Sequence, residues 1–355
     1  MKKTELIGFA DLAVQKRKVK SVFFDQVNTI VDWRPISNII NKHYVKGSSA
    51  VGFPSYPGLM LFKMALLQTW YGLSDYEVED RLNDSISFSR FVGLSIDDKS
   101  PDHSVLSRFR TEMTAKGAYA KLFKELGKQL EKHKIIIKSG AIVDASVTES
   151  PLKPRGKTTY ELATDRQDEP RNEQELEKEN AQQKLIKTEQ PGVDTEGRWI
   201  KKAGKLMYGY KKHFVTDTQG MVLNVVTTPA NVNEIANLEE VLHGLELAKG
   251  TPILADKGYA SAKNRKLLKD KELKDRILKK AVRGKALTAW EQKFNKLISK
   301  VRYKVERTFG SIRLWFRSEK ARYRGMAKTH TQHLMEAFAY NLYRSPGIVM
   351  SGREQ

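Results

Sequence analysis

The sequence predicts an all-helical N-terminal region followed by an α/β domain built on a mixed sheet with flanking helices. Three observations carry this. Up to about residue 133, apolar residues recur at helical spacing. From Lys134 onward, short β-branched and aliphatic runs appear, bounded by turn residues. Their order is three strands, then helix, strand, helix, strand and a long final helix, as expected of a mixed sheet with helices on its faces. With 355 residues, 40% of them apolar, the chain has material for one α/β domain and an accessory one.

In the first region, Pro57 opens a segment with Leu59, Met60, Leu61, Met64, Ala65, Leu66 and Trp70, too apolar all round for a surface helix. Past Gly72, Ser74 and Glu77 form a capping box ahead of Val78 and Leu82. A short helix follows around Phe88 to Val92. Pro101-Asp102-His103 then starts another, with Val105, Leu106 and Phe109 inward and Arg108 and Arg110 outward. Short helices around a small core, the last bearing arginines, match a helix-turn-helix-like module that binds DNA; a purely structural bundle fits the same pattern.

In the second region, Ile135 to Ile137 and Ala141-Ile142-Val143 read as a buried strand ending at Asp144. Met207 to Thr216 and Met221 to Thr228 read as a hairpin turning at Thr218-Gln219-Gly220. Asn231 is placed to cap a helix reaching Leu247. Pro252 to Ala255 forms a strand ending at Asp256, Ser261 caps the next helix, and Arg276-Ile277-Leu278 forms the last strand. Phe294, Ile298, Val301, Val305, Phe309, Ile312 and Phe316 mark one long helix by their spacing. Residues 158–196 are rich in Glu, Gln, Lys and Asn and read as a charged insertion, solvated or without a core of its own. The expected division is 1–133 helical, 134–345 α/β, and 346–355 a tail.

Charge is unevenly placed. Lys and Arg number 63 against 42 Asp and Glu, a net of +21, and Lys257 to Lys328 holds 24 basic and 6 acidic residues, a net of +18. That concentration points to a polyanion, DNA or RNA, although composition does not separate this from a merely basic protein. Without cysteine, disulfides and thiolate metal sites are excluded, so a metal must be held by carboxylates or the seven histidines. No apolar run approaches a membrane span, and Met1 to Lys20 lacks the apolar block of a signal peptide. The expected location is the cytoplasm, with the nucleoid as the place of work when DNA is bound.

Asp144 and Asp256 stand at equivalent places, each where an aliphatic run leaves the sheet. Glu306 falls on the long helix with Ser299, Arg302 and Arg313, on a stripe beside the buried one. Singly, such residues are turn, cap or i,i+4 ion-pair residues. Converging, three carboxylates repel one another unless a divalent cation neutralises them. Oxygen ligands with open positions suit Mg²⁺ or Mn²⁺, and a pair of ions suits phosphodiester chemistry. Lys201, Lys202 and Lys205, interleaved with Tyr208 and Tyr210, read either as phosphate contacts with stacking capacity or as a basic hairpin edge. His213 reads as a satisfied structural histidine.

At these residues the chain resembles the DDE transposases of bacterial insertion sequences, specifically insertion-sequence family five of the four/five group. The resemblance runs over nearly the whole chain: Pro101-Asp102-His103-Ser104 to Ser107-Arg108-Phe109-Arg110, Val143-Asp144-Ala145-Ser146, Lys201-Lys202-Ala203-Gly204-Lys205 with Tyr208-Gly209-Tyr210-Lys211, Thr228-Pro229-Ala230-Asn231, Ala255-Asp256-Lys257-Gly258-Tyr259, and Arg302-x3-Glu306-x6-Arg313. It implies a ribonuclease H-like core with Asp144, Asp256 and Glu306 as catalytic, metal-holding residues and two Mg²⁺ or Mn²⁺ ions. It further implies cut-and-paste movement of an element with inverted terminal repeats. Double-stranded DNA is the expected partner, contacted by Arg302, Arg313, Tyr303, Lys257, Lys201, Lys202, Lys205, Arg108 and Arg110. A homodimer would hold two element ends. Two positions depart from the family's pattern: Ser299 stands where tyrosine is usual, and Arg313 where lysine is. A strand-hairpin cleavage route is therefore not carried over. A nuclease or resolvase without strand transfer, and a regulator without chemistry, are the rival readings.

Overall fold

The computed structural model describes residues 21–45, 55–95, 97–156, 160–162, 185–187, 190–282, 284 and 286–353. Seven helices open the described chain: α1 (Ser21–Ile30), α2 (Trp33–His43), α3 (Gly58–Tyr71), α4 (Asp75–Asp84), α5 (Ile86–Val92), α6 (His103–Ala115) and α7 (Ala118–Lys132). Their ends follow from side chains that satisfy orphan backbone donors. Asp32 accepts from Arg34 N at α2, Ser74 and Glu77 close the expected capping box at α4, and Asp102 accepts from Val105 N at α6. Gly72 ends α3 in the left-handed conformation at φ 63°, where a side chain is disfavoured. As its all-round apolar sequence predicts, α3 is enclosed, with Leu61, Phe62, Met64, Leu66 and Leu67 all buried.

The sheet comprises β1 (Ala141–Glu149), β4 (Arg198–Lys202), β5 (Lys205–Thr216), β6 (Val222–Pro229), β7 (Pro252–Ala255) and β8 (Lys274–Ile277), while β2 (Tyr160–Leu162) and β3 (Leu185–Lys187) form a separate antiparallel pair. β1 lies antiparallel to β5 and parallel to β7, and β7 is parallel to β8. The other edge of β5 is shared, its first half pairing with β4 and its second with β6. The main path is thus β6-β5-β1-β7-β8, three antiparallel strands followed by two parallel ones. The Asp217 carboxylate fixes the β5–β6 turn by accepting from Gln219 N and Met221 N.

One face of this sheet carries α10 (Ala289–Phe316), whose Ile298 and Val305 pack on Ile142, Leu254 and Leu278. Thr288 and Glu291 cap α10 reciprocally, so the helix starts at Ala289. The other face carries α8 (Leu238–Leu242) and α9 (Ala262–Asp270), packed on Val143, Val215, Ile253 and Ile277. The mixed sheet with flanking helices and an all-helical N-terminal region is the ribonuclease H-like architecture the resemblance implies.

Several local expectations are revised. Ile135 and Ile136 are not in β1. Lys134 turns the chain at φ 56°, Ile135 N donates back to Leu130 O, and both isoleucines enter the helical core. β1 does not end at Asp144 but continues to Glu149, because its antiparallel partner β5 continues beside it. The helix expected from Asn231 begins later. Asn233 caps a 3₁₀ turn, Glu234–Asn237, and α8 ends before Gly244, which adopts φ 72°. Where a tail was expected from 346, the last helix, α11 (Met326–Arg353), runs through Pro346 to Arg353. Most of the charged insertion lies outside the described residues. Its described end packs against the sheet, since Asp194 is buried and accepts from the Tyr210 hydroxyl at 2.7 Å.

α11 joins the two regions. Leu334, Phe338 and Leu342 share one core with α3, α7, Phe316 of α10, and Met221, Val222 and Val225 of the β5–β6 hairpin. Lys212 on β5 pairs with Glu336 on α11 at 2.8 Å, both almost fully buried. Burying two charges is costly unless they are paired, so this contact fixes where α11 crosses the sheet.

Candidate active site

The pairing of β1 sets the position of Asp144. On its β7 side the register runs Ala141–Ile253, Ile142–Leu254, Val143–Ala255 and then stops. The next rung would join Asp144 to Asp256, and there β7 gives way to the 3₁₀ turn Lys257–Tyr259. Two carboxylates therefore stand side by side where the parallel part of the sheet opens, the usual place for ligands in α/β sheets.

Between them comes Arg302 of α10. Its Nη2 lies 3.1 Å from Asp144 Oδ2 and its Nη1 lies 3.6 Å from Asp256 Oδ1. The Arg302 side chain is 8% exposed, against 19% for Asp144 and 36% for Asp256. Arg302 Nε is buried with no hydrogen-bond partner among the described residues. Burial pushes the Asp144 carboxyl up to about 6. Arg302 and the Ala145 N–H, which donates to Asp144 Oδ1 at 2.9 Å, oppose this shift, while the charges of Asp256 and Glu234 add to it.

Glu306, the third expected carboxylate, lies one turn beyond Arg302 on α10 and is exposed. No group of three acidic or histidine side chains poised to hold a metal occurs among the described residues. The structure thus brings Asp144 and Asp256 together around a cation and leaves Glu306 at the rim. The donors present suit a divalent ion all the same. Two carboxylates from the ends of adjacent strands face one buried positive charge, an oxygen donor set of the kind such ions take.

The expected DNA-contact residues divide. Arg108, Lys201, Lys202, Lys257 and Arg313 are exposed, as is about half of Tyr303. Lys205 is exposed and paired with Glu149 at 2.7 Å. Arg110 is not offered to solvent: it is buried, paired with Asp75 at 2.6 Å and stacked over Tyr323 at 4.2 Å. Its direction follows from α6, where Leu106 and Arg110, one turn apart, share the inward face. Tyr208 and Tyr210 present no ring for stacking, since both are buried with their hydroxyls donating to Asp194. Ser299 is exposed on α10.

Glu234 is the site residue that sequence reasoning missed. It lies against the Asp256 turn, where a Cβ on Gly258 would meet its carboxylate, and 3.5 Å from the buried Lys211 Nζ. The Asn231-Val232-Asn233-Glu234 run read only as a helix cap, and no local pattern marks the acid after it as a neighbour of Asp256. His213 is the satisfied histidine the sequence suggests. Its ring bonds the Tyr259 and Thr228 hydroxyls at 3.0 and 3.1 Å, and burial pushes it down to about 3, so it stays neutral.

Two family profiles match the chain. The first, described as Transposase DDE domain, covers residues 138–342, the whole sheet with α10 and most of α11. The chain belongs to the DDE transposase family. The second, described as Transposase domain (DUF772), covers residues 12–112, within the helical region. Among curated relatives, the chain is 43% identical over 155 residues to the transposase for insertion sequence element IS1106 of Neisseria meningitidis serogroup B, a match over 44% of this chain and 53% of that protein. The chain thus spans about half the length of that relative. No solved structure matches. No helix among the described residues is long and apolar enough to cross a membrane.

Proposed function

We propose that the chain is a transposase that binds the terminal inverted repeats of a mobile element, cuts the DNA at its ends and joins the 3′-hydroxyls to target DNA. The observation that carries the reading is the pair Asp144 and Asp256 around one buried cation, at the mouth of a sheet in a DDE-family chain. Asp144 and Asp256 would hold divalent metal, with Glu306 approaching from the rim of α10. Bound there, Mg²⁺ or Mn²⁺ supplies a Lewis acid for phosphodiester cleavage and activates the attacking oxygen. The exposed Lys257 and Arg313, with Lys201, Lys202 and Lys205 on the β4–β5 edge, would hold phosphates, because a strand does not approach carboxylates unaided. Tyr303 offers a half-exposed ring on which a base can stack. Two copies of the chain would hold the two ends of one element.

The test is cleavage of end-labelled element DNA by Asp144→Asn, Asp256→Asn and Glu306→Gln proteins, with DNA binding measured beside it. Each variant is expected to lose cleavage and, with divalent metal chelated, to keep binding. A variant whose activity stays within about tenfold of the parent, roughly 1.4 kcal/mol of barrier, removes that residue from the site.

A further inference from the structure

Arg302 stands between the two carboxylates proposed to hold metal. Its guanidinium is enclosed, faces Asp144 at 3.1 Å and Asp256 at 3.6 Å, and leaves its Nε without a hydrogen-bond partner among the described residues. A buried guanidinium with an idle donor is incompletely satisfied, so its place between the carboxylates is held by charge more than by fit. We propose that Arg302 is the resident counter-ion of the metal-free site, and that its displacement couples metal binding to DNA binding. The inference rests on the reading that Asp144 and Asp256 hold the metal.

The physical argument is one of competition. One positive charge serves both carboxylates in the metal-free protein. A divalent ion between them satisfies both and repels the guanidinium, which then has no reason to remain buried. Its way out leads along the face of α10 that bears the exposed Ser299, Tyr303 and Glu306, beside Lys300 and Arg307, which are also exposed. A freed guanidinium on a basic surface is a forked donor suited to a phosphate. DNA that binds the outward arginine therefore favours the metal-loaded site, and by linkage the metal favours DNA by the same factor. On this account Arg302 has two places: without DNA and metal it protects two neighbouring carboxylates from mutual repulsion, and with both it contacts a phosphate of the DNA.

The experiment is a Mn²⁺ titration of the full chain without DNA, read from the electron paramagnetic resonance of free Mn²⁺. Removing a competitor should tighten binding, so Arg302→Ala is expected to bind Mn²⁺ at least tenfold more tightly than the parent. Arg302→Lys keeps the charge but cannot span both carboxylates, and it is expected to lie between the two. Equal or weaker binding by the alanine variant, or by the lysine variant should alanine not fold, overturns the proposal. Asp144→Asn and Asp256→Asn separate the two readings. If they lose Mn²⁺ while Arg302→Ala gains nothing, only the counter-ion role fails; if they bind like the parent, the metal assignment itself fails. A second measurement uses duplex DNA of random sequence at constant ionic strength, with and without Ca²⁺. Ca²⁺ should tighten DNA binding by the parent and not by Arg302→Ala, and an equal gain in both overturns the coupling.

Discussion

The stability of Asp144→Asn relative to the metal-free parent is expected to depend on pH, moving in favour of Asn as pH rises. The Asp144 carboxyl is raised from its ordinary 3.8 to about 6, burial being the main cause. Between those values the folded state holds a proton that the unfolded state has lost, so stability falls as pH rises through the window and stays reduced above it. At 1.36 kcal/mol per unit, a shift of about two units amounts to about 3 kcal/mol at neutral pH. Asparagine carries no such penalty. Its loss of contact with Arg302 adds an offset that does not vary with pH in this range. The measurement is urea unfolding of both proteins in a chelator, from about pH 4 to pH 7.5. The advantage of Asn should grow by about 3 kcal/mol across the window and then level off, and Mg²⁺ should raise the parent's stability but not the variant's. Parallel curves, differing by the same amount at every pH, would refute the claim that burial disfavours the charged form of Asp144.

Lys212→Met leaves Glu336 buried without its partner and is expected to cost about 3–5 kcal/mol, recovered in large part by adding Glu336→Leu; equal instability of the single and double variants would show that the pair is not what anchors α11. Because Leu162 and Leu185 are paired neighbours, replacing 163–184 by a short Gly-containing turn should leave the thermal midpoint within a few degrees, whereas a collapsed deletion protein would show that the segment packs elsewhere. If the Lys257–Lys328 stretch tracks DNA, log K should fall with log[salt] by roughly 0.9 per phosphate neutralised, and a flat dependence between about 50 and 200 mM would assign that charge to something else.

Much of the fold was legible because it rests on local patterns. The Ser74–Glu77 box, the hairpin turning at Thr218-Gln219-Gly220, the β7 strand and the seven-point apolar stripe of α10 each depend on residues close in sequence, and each forms as expected. So did the nearness of Asp144 and Asp256, because two strands that leave one sheet at the same end place their last residues together. What required the tertiary structure was everything settled between distant segments. Ile135 could serve strand or helical core, and only the turn at Lys134 chose the core. Arg110 and Arg302 were both expected to contact DNA. Asp75, 35 residues away, draws one inward, and Asp144 and Asp256, reached only through sheet register and the crossing of α10, draw in the other. Glu234 was invisible for the same reason. Sequence determines which charges exist and which faces are apolar, but a buried charge goes where its partner is, and partners at long range are placed only when the layers pack.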